Sequence, residues 1–249
     1  MQPEEYERLS RVERDHWFYR GKREIVRHWI NRTMALTSDS LLLDCGAGTG
    51  LFAREMLARC HVLASDDHED SLQLLRRNLG PEKVIAASCT DLPLPSASVD
   101  CLTALDVLEH VEDDRKAVAQ FAKVLKPGGV AIVTVPALQS LWSDWDVVLH
   151  HFRRYDKSTL KQLLDQPTLS VVHLAYINVL ALPAIFLMRK WRGFFPARNQ
   201  NATRIEEYIP PPIMNTLLRQ SFVALACQRS LSFPAGVGLL AVVRREPGG

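Results

Sequence analysis

The sequence predicts an α/β domain built on a mainly parallel sheet, and three observations carry the prediction. From Leu41 onward short apolar runs alternate with amphipathic segments, the pattern of successive βα units. One of these runs, LLLDC at 41–45, passes directly into a turn holding Gly46, Gly48 and Gly50 before the next amphipathic segment. Glycines at that point let the backbone turn sharply and approach a bound molecule closely. Finally, 249 residues with 47% hydrophobic content suit one compact domain, since single cores stop growing at about 250–300 residues.

The elements follow in order. Residues 3–36 read as an N-terminal helical cap (1–36), with Tyr6, Leu9 and Val12, then Ile25, His28 and Trp29, at helical spacing around a break near Gly21. Strands are expected at 40–45, 61–65, 83–87, 99–105 and 129–135, with helices at 49–59, 69–79 and 112–126. The last helix presents Ala117, Val118, Phe121 and Leu125 on one face and is expected to end at Pro127, Gly128 and Gly129. Two further strands are expected at 169–176 and 237–244. No internal repeat or domain boundary is visible, so 1–249 reads as one domain, with a core at 37–165 and a remainder at 166–249 that holds an insertion at 177–235.

Thirty Lys and Arg against 28 Asp and Glu leave a formal charge of +2, whereas a phosphate-tracking nucleic-acid binder needs a basic excess. A small or weakly charged substrate is expected instead, and no nucleic acid. The five cysteines are scattered without a CxxC pair, which fits neither a disulfide framework nor a zinc site. No metal is expected, and a reducing cytoplasm is the expected compartment. The opening MQPEEYERLSRVERD lacks a signal peptide's apolar core, and no run reaches the roughly 18 apolar residues of a membrane span.

The glycine turn departs from a dinucleotide fingerprint, because Leu51 stands where Gly or Ala is wanted. Asp44, at the strand end, is unfavourable to a pyrophosphate on the helix N-terminus and favourable to a ligand carrying an ammonium and a sulfonium. Asp66 follows the second strand, at the distance where an acidic group can accept both ribose hydroxyls of an adenosine. Its alternative role is a helix N-cap, which Asp67 could also fill.

With these residues the chain resembles the class I S-adenosylmethionine-dependent methyltransferases. Asp44-Cys45-Gly46-Ala47-Gly48-Thr49-Gly50 is similar to their first motif, LPLPSASVDCLTALDVLEHVED at 92–113 to their LPF...FD...EHV region, and LKPGGVAIVTVP at 125–136 to their LKPGG strand entry. The resemblance implies S-adenosylmethionine as cofactor and a Rossmann-like three-layer sandwich. Its seven-stranded, mostly parallel sheet would run in the order 3-2-1-4-5-7-6 with the seventh strand antiparallel. It also implies cofactor contacts from Asp44, Gly46, Gly48, Gly50, Asp66 and Asp106, and places Ser88 and Cys89 beside the adenine, where the family usually carries an acid.

Methyl transfer chiefly needs alignment, exclusion of water and, for a hydroxyl acceptor, removal of a proton. His110, after the fourth strand, is one candidate base, with fixing the loop as its alternative role. The segment WSDWDVVLHHFRRYDKSTLKQLL at 142–164 resembles the H-x-R-R-Y stretch of a bacterial subset, with His150 where that subset usually has Gly. His151 is the second candidate base, and Trp142, Arg153, Arg154 and Tyr155 are candidate acceptor contacts; pairing of the arginines with sheet-edge carboxylates and packing of Tyr155 is the other possibility. Trp17 or Phe18, in HWFYRGKR, could cover the cofactor or pack between helices. The apolar 177–195 block and its cations Arg189, Lys190 and Arg192 read as core, lid or membrane-surface contact.

The expected function is O-methylation of a small molecule or of a glycan or lipid-linked intermediate, with the oligomeric state open. The rival reading is a non-catalytic binding or regulatory protein that keeps the fold. A nicotinamide oxidoreductase is disfavoured by Asp44 and Leu51.

Overall fold

A computed structural model describes residues 11–187, 208–230 and 232–247. Seven strands form one sheet in the order β3-β2-β1-β4-β5-β7-β6: β1 (Leu41–Cys45), β2 (His61–Asp66), β3 (Val84–Ala86), β4 (Val99–Leu105), β5 (Leu125–Pro136), β6 (Leu169–Ile177) and β7 (Gly238–Arg245). The first five pair in parallel, and β7 runs antiparallel to both β5 and β6. The expected order and the antiparallel seventh strand are therefore present.

Successive side chains of a strand point to opposite faces, and this sheet buries both. Leu43, Leu102, Val133 and Ala241 enter one core with Phe121 and Leu160, from α4 (Asp114–Val124) and α6 (Lys157–Leu164). Their neighbours Leu42, Cys101, Ile132 and Leu240 enter the other. That second core receives Ile25 and Trp29 of α1 (Trp17–Thr33), Phe52 and Met56 of α2 (Leu51–Met56), Leu75 of α3 (Glu69–Leu79) and Phe222 of α7 (Pro212–Ala226). A short α5 (Asp144–Val148) lies in the loop between β5 and α6. Burial on both faces is why the strands read as nearly continuous apolar runs.

Among the boundaries that differ from expectation, three have a visible physical cause. The N-terminal break falls at His16, not at Gly21: residues 11–15 are helical, and the His16 ring accepts the Phe18 N–H at 3.2 Å to begin α1 afresh. Gly21 stays inside α1 because α7 crosses it closely; a Cβ there would lie 2.7 Å from Phe222 Cδ1. The helix expected over 112–126 ends at Val124, and β5 starts at Leu125, which pairs with Val99. Pro127 accounts for this, since the residue before a proline is steered out of the helical region. The helix expected from 49 starts at Leu51 because Gly50 has φ +76°, outside helical space.

Gly21→Ala is a direct check on the helix crossing. In an open helix the change would gain about 1 kcal/mol. Phe222 cannot give way easily, as it stacks on Phe18 at 5.6 Å and meets Trp17 edge-on at 5.8 Å. The variant is expected to lose about 1–3 kcal/mol by overpacking, read as a lowered melting temperature.

After β6, residues 182–187 are helical. Arg189, Lys190 and Arg192 and most of the 177–195 block's end lie outside the described residues. Among the described residues no helix is long and apolar enough to cross a membrane. All five cysteines are free.

Candidate active site

At the carboxyl ends of β1, β2 and β4 lies a cavity of about 530 Å³, with Gly46, Asp66, Cys89, Asp106 and His110 in its wall. The glycine turn is built as its spacing requires. Gly46 has φ +65°, and a Cβ there would meet Val107 Cγ2 at 2.6 Å, so no other residue fits without displacing the loop after β4. Gly48, at φ +55°, donates its N–H to Asp66 Oδ2 at 3.0 Å. The other Asp66 oxygen accepts the His68 N–H at 3.0 Å. Asp66 thus braces the turn and shares in the cavity wall; the cap position of α3 is His68, without a side-chain bond. Ser88 Oγ accepts from Thr90 Oγ1 at 3.2 Å, and its neighbour Cys89 forms the wall.

Asp44 is placed behind this wall, only 3% exposed, and accepts the Thr103 hydroxyl at 2.7 Å. Burial pushes its pKa up from 3.8 to about 7. A carboxyl raised by folding contributes stability only while protonated: fully below its ordinary value of 3.8, and lost as the pH rises through about 7. Asp44→Asn stays neutral and can still accept from Thr103. It is expected to melt above the wild type at pH 8, with the gap closing by pH 4; parallel melts across that range check it.

A second cavity, of about 420 Å³, adjoins the first, and the two share Asp106, His110 and Leu149. Trp17, Phe18, Tyr19, Trp145 and Tyr208 give it aromatic walls. Asp106 stands at the junction with φ +57°, accepting from Thr134 Oγ1 at 2.8 Å and from the Lys22 ammonium of α1. Burial alone would raise its pKa, but Lys22 and Thr134 hold it below the usual carboxylate value. Lys22 also lies 4.5 Å from the centre of the Phe18 ring, one helical turn away.

The two candidate bases come together here. The His110 and His151 rings lie 4.6 Å apart, edge to face. His151 Nδ1 bonds Asp146 Oδ1 at 2.9 Å, and Asp146, fully buried, also accepts from Arg154 Nε at 2.7 Å and Ser143 N at 2.9 Å. Burial would raise the Asp146 carboxyl, yet these partners hold it well below its ordinary value. Desolvation together with the neighbouring His151 lowers the His110 pKa, which favours the neutral imidazole. Glu109 beside it is 1% exposed, and its Oε2 has no hydrogen-bond partner.

The rest of the H-x-R-R-Y segment holds the wall together. Arg153 Nη1 pairs with Asp114 Oδ2 at 2.9 Å, and the Tyr155 hydroxyl donates to the same oxygen at 2.8 Å. Arg154, besides Asp146, donates to the Ala137 carbonyl at 3.1 Å and borders the second cavity. Trp142 is half-buried outside both cavities, and Trp145, one turn on, lines the second. His150 has φ +56°, a conformation that favours glycine, which accounts for the glycine of the resembling subset. Trp17 and Phe18 both pack against Phe222 and line the second cavity. The residues not anticipated from sequence were Lys22, Tyr19, Trp145 and Asp146; the Phe18–Lys22 spacing of four was the one signal available for Lys22.

The wall of the first cavity carries Asp66, Asp67 and Asp106 and, among the described residues, neither lysine nor arginine. Such a wall repels a pyrophosphate and suits a cation, as S-adenosylmethionine is at its sulfonium and ammonium. Residues 43–133 match the family model described as a methyltransferase domain. A Mycolicibacterium smegmatis protein named as an S-adenosylmethionine-dependent methyltransferase is 30% identical over 170 residues, 65% of each chain. Residues 43–133 thus carry a methyltransferase domain, and the chain is similar to S-adenosylmethionine-dependent methyltransferases. A Clavibacter sepedonicus demethylmenaquinone methyltransferase is 28% identical over 195 residues, 74% of this methyltransferase and 77% of that one. The solved structure of a Galdieria sulphuraria protein, assigned as a sarcosine dimethylglycine methyltransferase, shares the fold with a TM-score of 0.62 at 15% identity, covering 91% and 86% of the two chains.

Proposed function

We propose that the methyltransferase acts on a hydroxyl oxygen of a small, largely apolar, ring-bearing acceptor held in the 420 Å³ cavity. The observation that carries this reading is the junction: both cavities open onto Asp106, His110 and Leu149. S-adenosylmethionine supplies a methyl carbon made electrophilic by its sulfonium. Gly46, Gly48 and Gly50 would shape the turn against it, Asp66 would take its ribose hydroxyls, Ser88 and Cys89 would border its adenine, and Asp106 would contribute negative charge on its methionine side, with Asp44 buried behind the wall. The aromatic wall orients a flat apolar acceptor and excludes water. Arg154 and Asp146 hold His151 in one orientation, and one imidazole of the pair, His110 or His151, takes the hydroxyl proton as the oxygen attacks. The Clavibacter relative, named for demethylmenaquinone as its acceptor, supports an apolar acceptor over a glycan.

The test is incubation of the protein with methyl-labelled S-adenosylmethionine and an extract of its source, followed by mass-spectrometric location of the label. A methyl on oxygen is expected, and a methyl on carbon or nitrogen would overturn the oxygen assignment. With the acceptor in hand, His110→Ala and His151→Ala should each lower kcat by about 100-fold or more, with cofactor affinity nearly unchanged.

A further inference from the structure

Glu109, His110 and His151 place one ligand atom each within 4.8 Å of one another, and all three border the acceptor cavity. From this cluster we propose that the methyltransferase binds one divalent transition-metal ion, of the zinc class, at Glu109, His110 and His151. Each ligand is prepared for the role by its other contacts. His151 commits Nδ1 to Asp146, which fixes its orientation and leaves the opposite nitrogen for a metal, the carboxylate-histidine arrangement that supports metal-bound imidazoles. His110 shares the turn of Glu109, and its ring meets that of His151 edge to face at 4.6 Å. Glu109 Oε2 is a buried carboxyl oxygen with no hydrogen-bond partner, a state that coordination would relieve.

The backbone brings the three together without the ion. Glu109 and His110 share a single turn, Leu108–His110, and the Phe152 N–H, next to His151, donates to the Glu109 carbonyl at 2.7 Å. The nearby cations are already matched, Lys22 by Asp106 and Arg154 by Asp146. Two imidazoles and one carboxylate favour zinc, cobalt or another late divalent ion over magnesium or calcium, which prefer oxygen shells. Three protein ligands leave coordination positions open towards the aromatic cavity. An acceptor hydroxyl bound there would lose its proton more readily, with the proton passing to solvent and the oxygen left on the metal as the nucleophile. The binding site stands by itself; only this role for the ion rests on the acceptor reading above, and with the ion bound it replaces the base role given there to His110 and His151.

The experiment uses tag-free, chelator-treated full-length protein titrated with Co²⁺, followed by its visible ligand-field bands, and then with Zn²⁺ by calorimetry. One ion per chain is expected, with Zn²⁺ displacing Co²⁺. His151→Ala and Glu109→Gln should each weaken binding at least tenfold, and Asp146→Asn by about 10–100-fold. His150→Ala, at the exposed neighbouring histidine, should bind as the wild type. Melting curves confirm that each variant is folded. Wild-type protein that binds neither ion, or binding unchanged in His151→Ala and Glu109→Gln, overturns the proposal. If Zn²⁺ binds as expected and no methylated product forms, the acceptor reading fails and the ion site stands. If transfer runs undiminished in protein that binds no Zn²⁺, the ion site fails and the acceptor reading stands.

Discussion

Asp66→Ala is expected to weaken S-adenosylmethionine binding by about 100-fold, because hydrogen bonds to a charged group are worth about 1.5–3 kcal/mol each and two ribose hydroxyls lose theirs. A second cost comes from the turn itself. The carboxylate that would meet the ribose also accepts the Gly48 and His68 N–H groups, so its loss frees the backbone on both sides of the adenosine. Asp67→Ala removes an exposed neighbour that borders the same cavity and should cost far less, separating a positional effect from loss of general negative charge. Calorimetry with the demethylated product avoids turnover. A change below threefold at Asp66 would remove it from the ribose contact.

Asp146→Ala is expected to destabilise the protein by about 3–5 kcal/mol, the cost of leaving a buried charge without its partner. The fully buried Asp146 carboxylate faces Arg154, whose side chain is 4% exposed and also donates to the Ala137 carbonyl. His151 and the Ser143 N–H would lose their acceptor at the same time. A double variant, Asp146→Leu with Arg154→Met, should recover much of the loss, since an apolar pair of similar volume can replace a buried ion pair at little cost. Urea denaturation at pH 7 measures both. The sign of the pH effect follows from the depressed carboxyl: its contribution is present above the ordinary value of 3.8 and fades as the pH falls below it. Wild type and variant should therefore converge in acid. A loss below about 1 kcal/mol for the single variant would show that Arg154 finds water or another partner.

Local chemistry made much of this legible in the sequence. Leu41–Cys45 running into three glycines is a strand entering a strained turn wherever it occurs, and the positive φ at all three glycines follows from their lack of a side chain. The short, nearly continuous apolar runs of β4, β5 and β7 carried the sheet. Contacts between distant segments were not legible. Lys22 and Asp106 are 84 residues apart, and nothing in HWFYRGKR says that its lysine will reach the end of β4. Gly21 looked like a helix break because glycine usually weakens helices; only the Phe222 ring crossing it, some 200 residues later, explains its place inside one. Asp146 was hidden for a related reason: WSDWD offers two acids, and burial against Arg154 singles out one of them.

The two cavities differ in how much chain each needs. The first is closed by residues between Gly46 and Phe152, and the second draws on residues from His16 to Gly238. Trp17 N–H bonds the Asn215 side chain at 2.8 Å across 198 residues, so the acceptor wall exists only once both ends of the domain have met. During synthesis the strands β3-β2-β1-β4-β5 and the nucleoside end of the site can assemble before β7 emerges, while the acceptor chamber must wait for the last strand to slot between β5 and β6. With the acceptor in the second cavity, as proposed, sequence change in the terminal segments would reshape what is methylated and leave the wall of the first cavity in place.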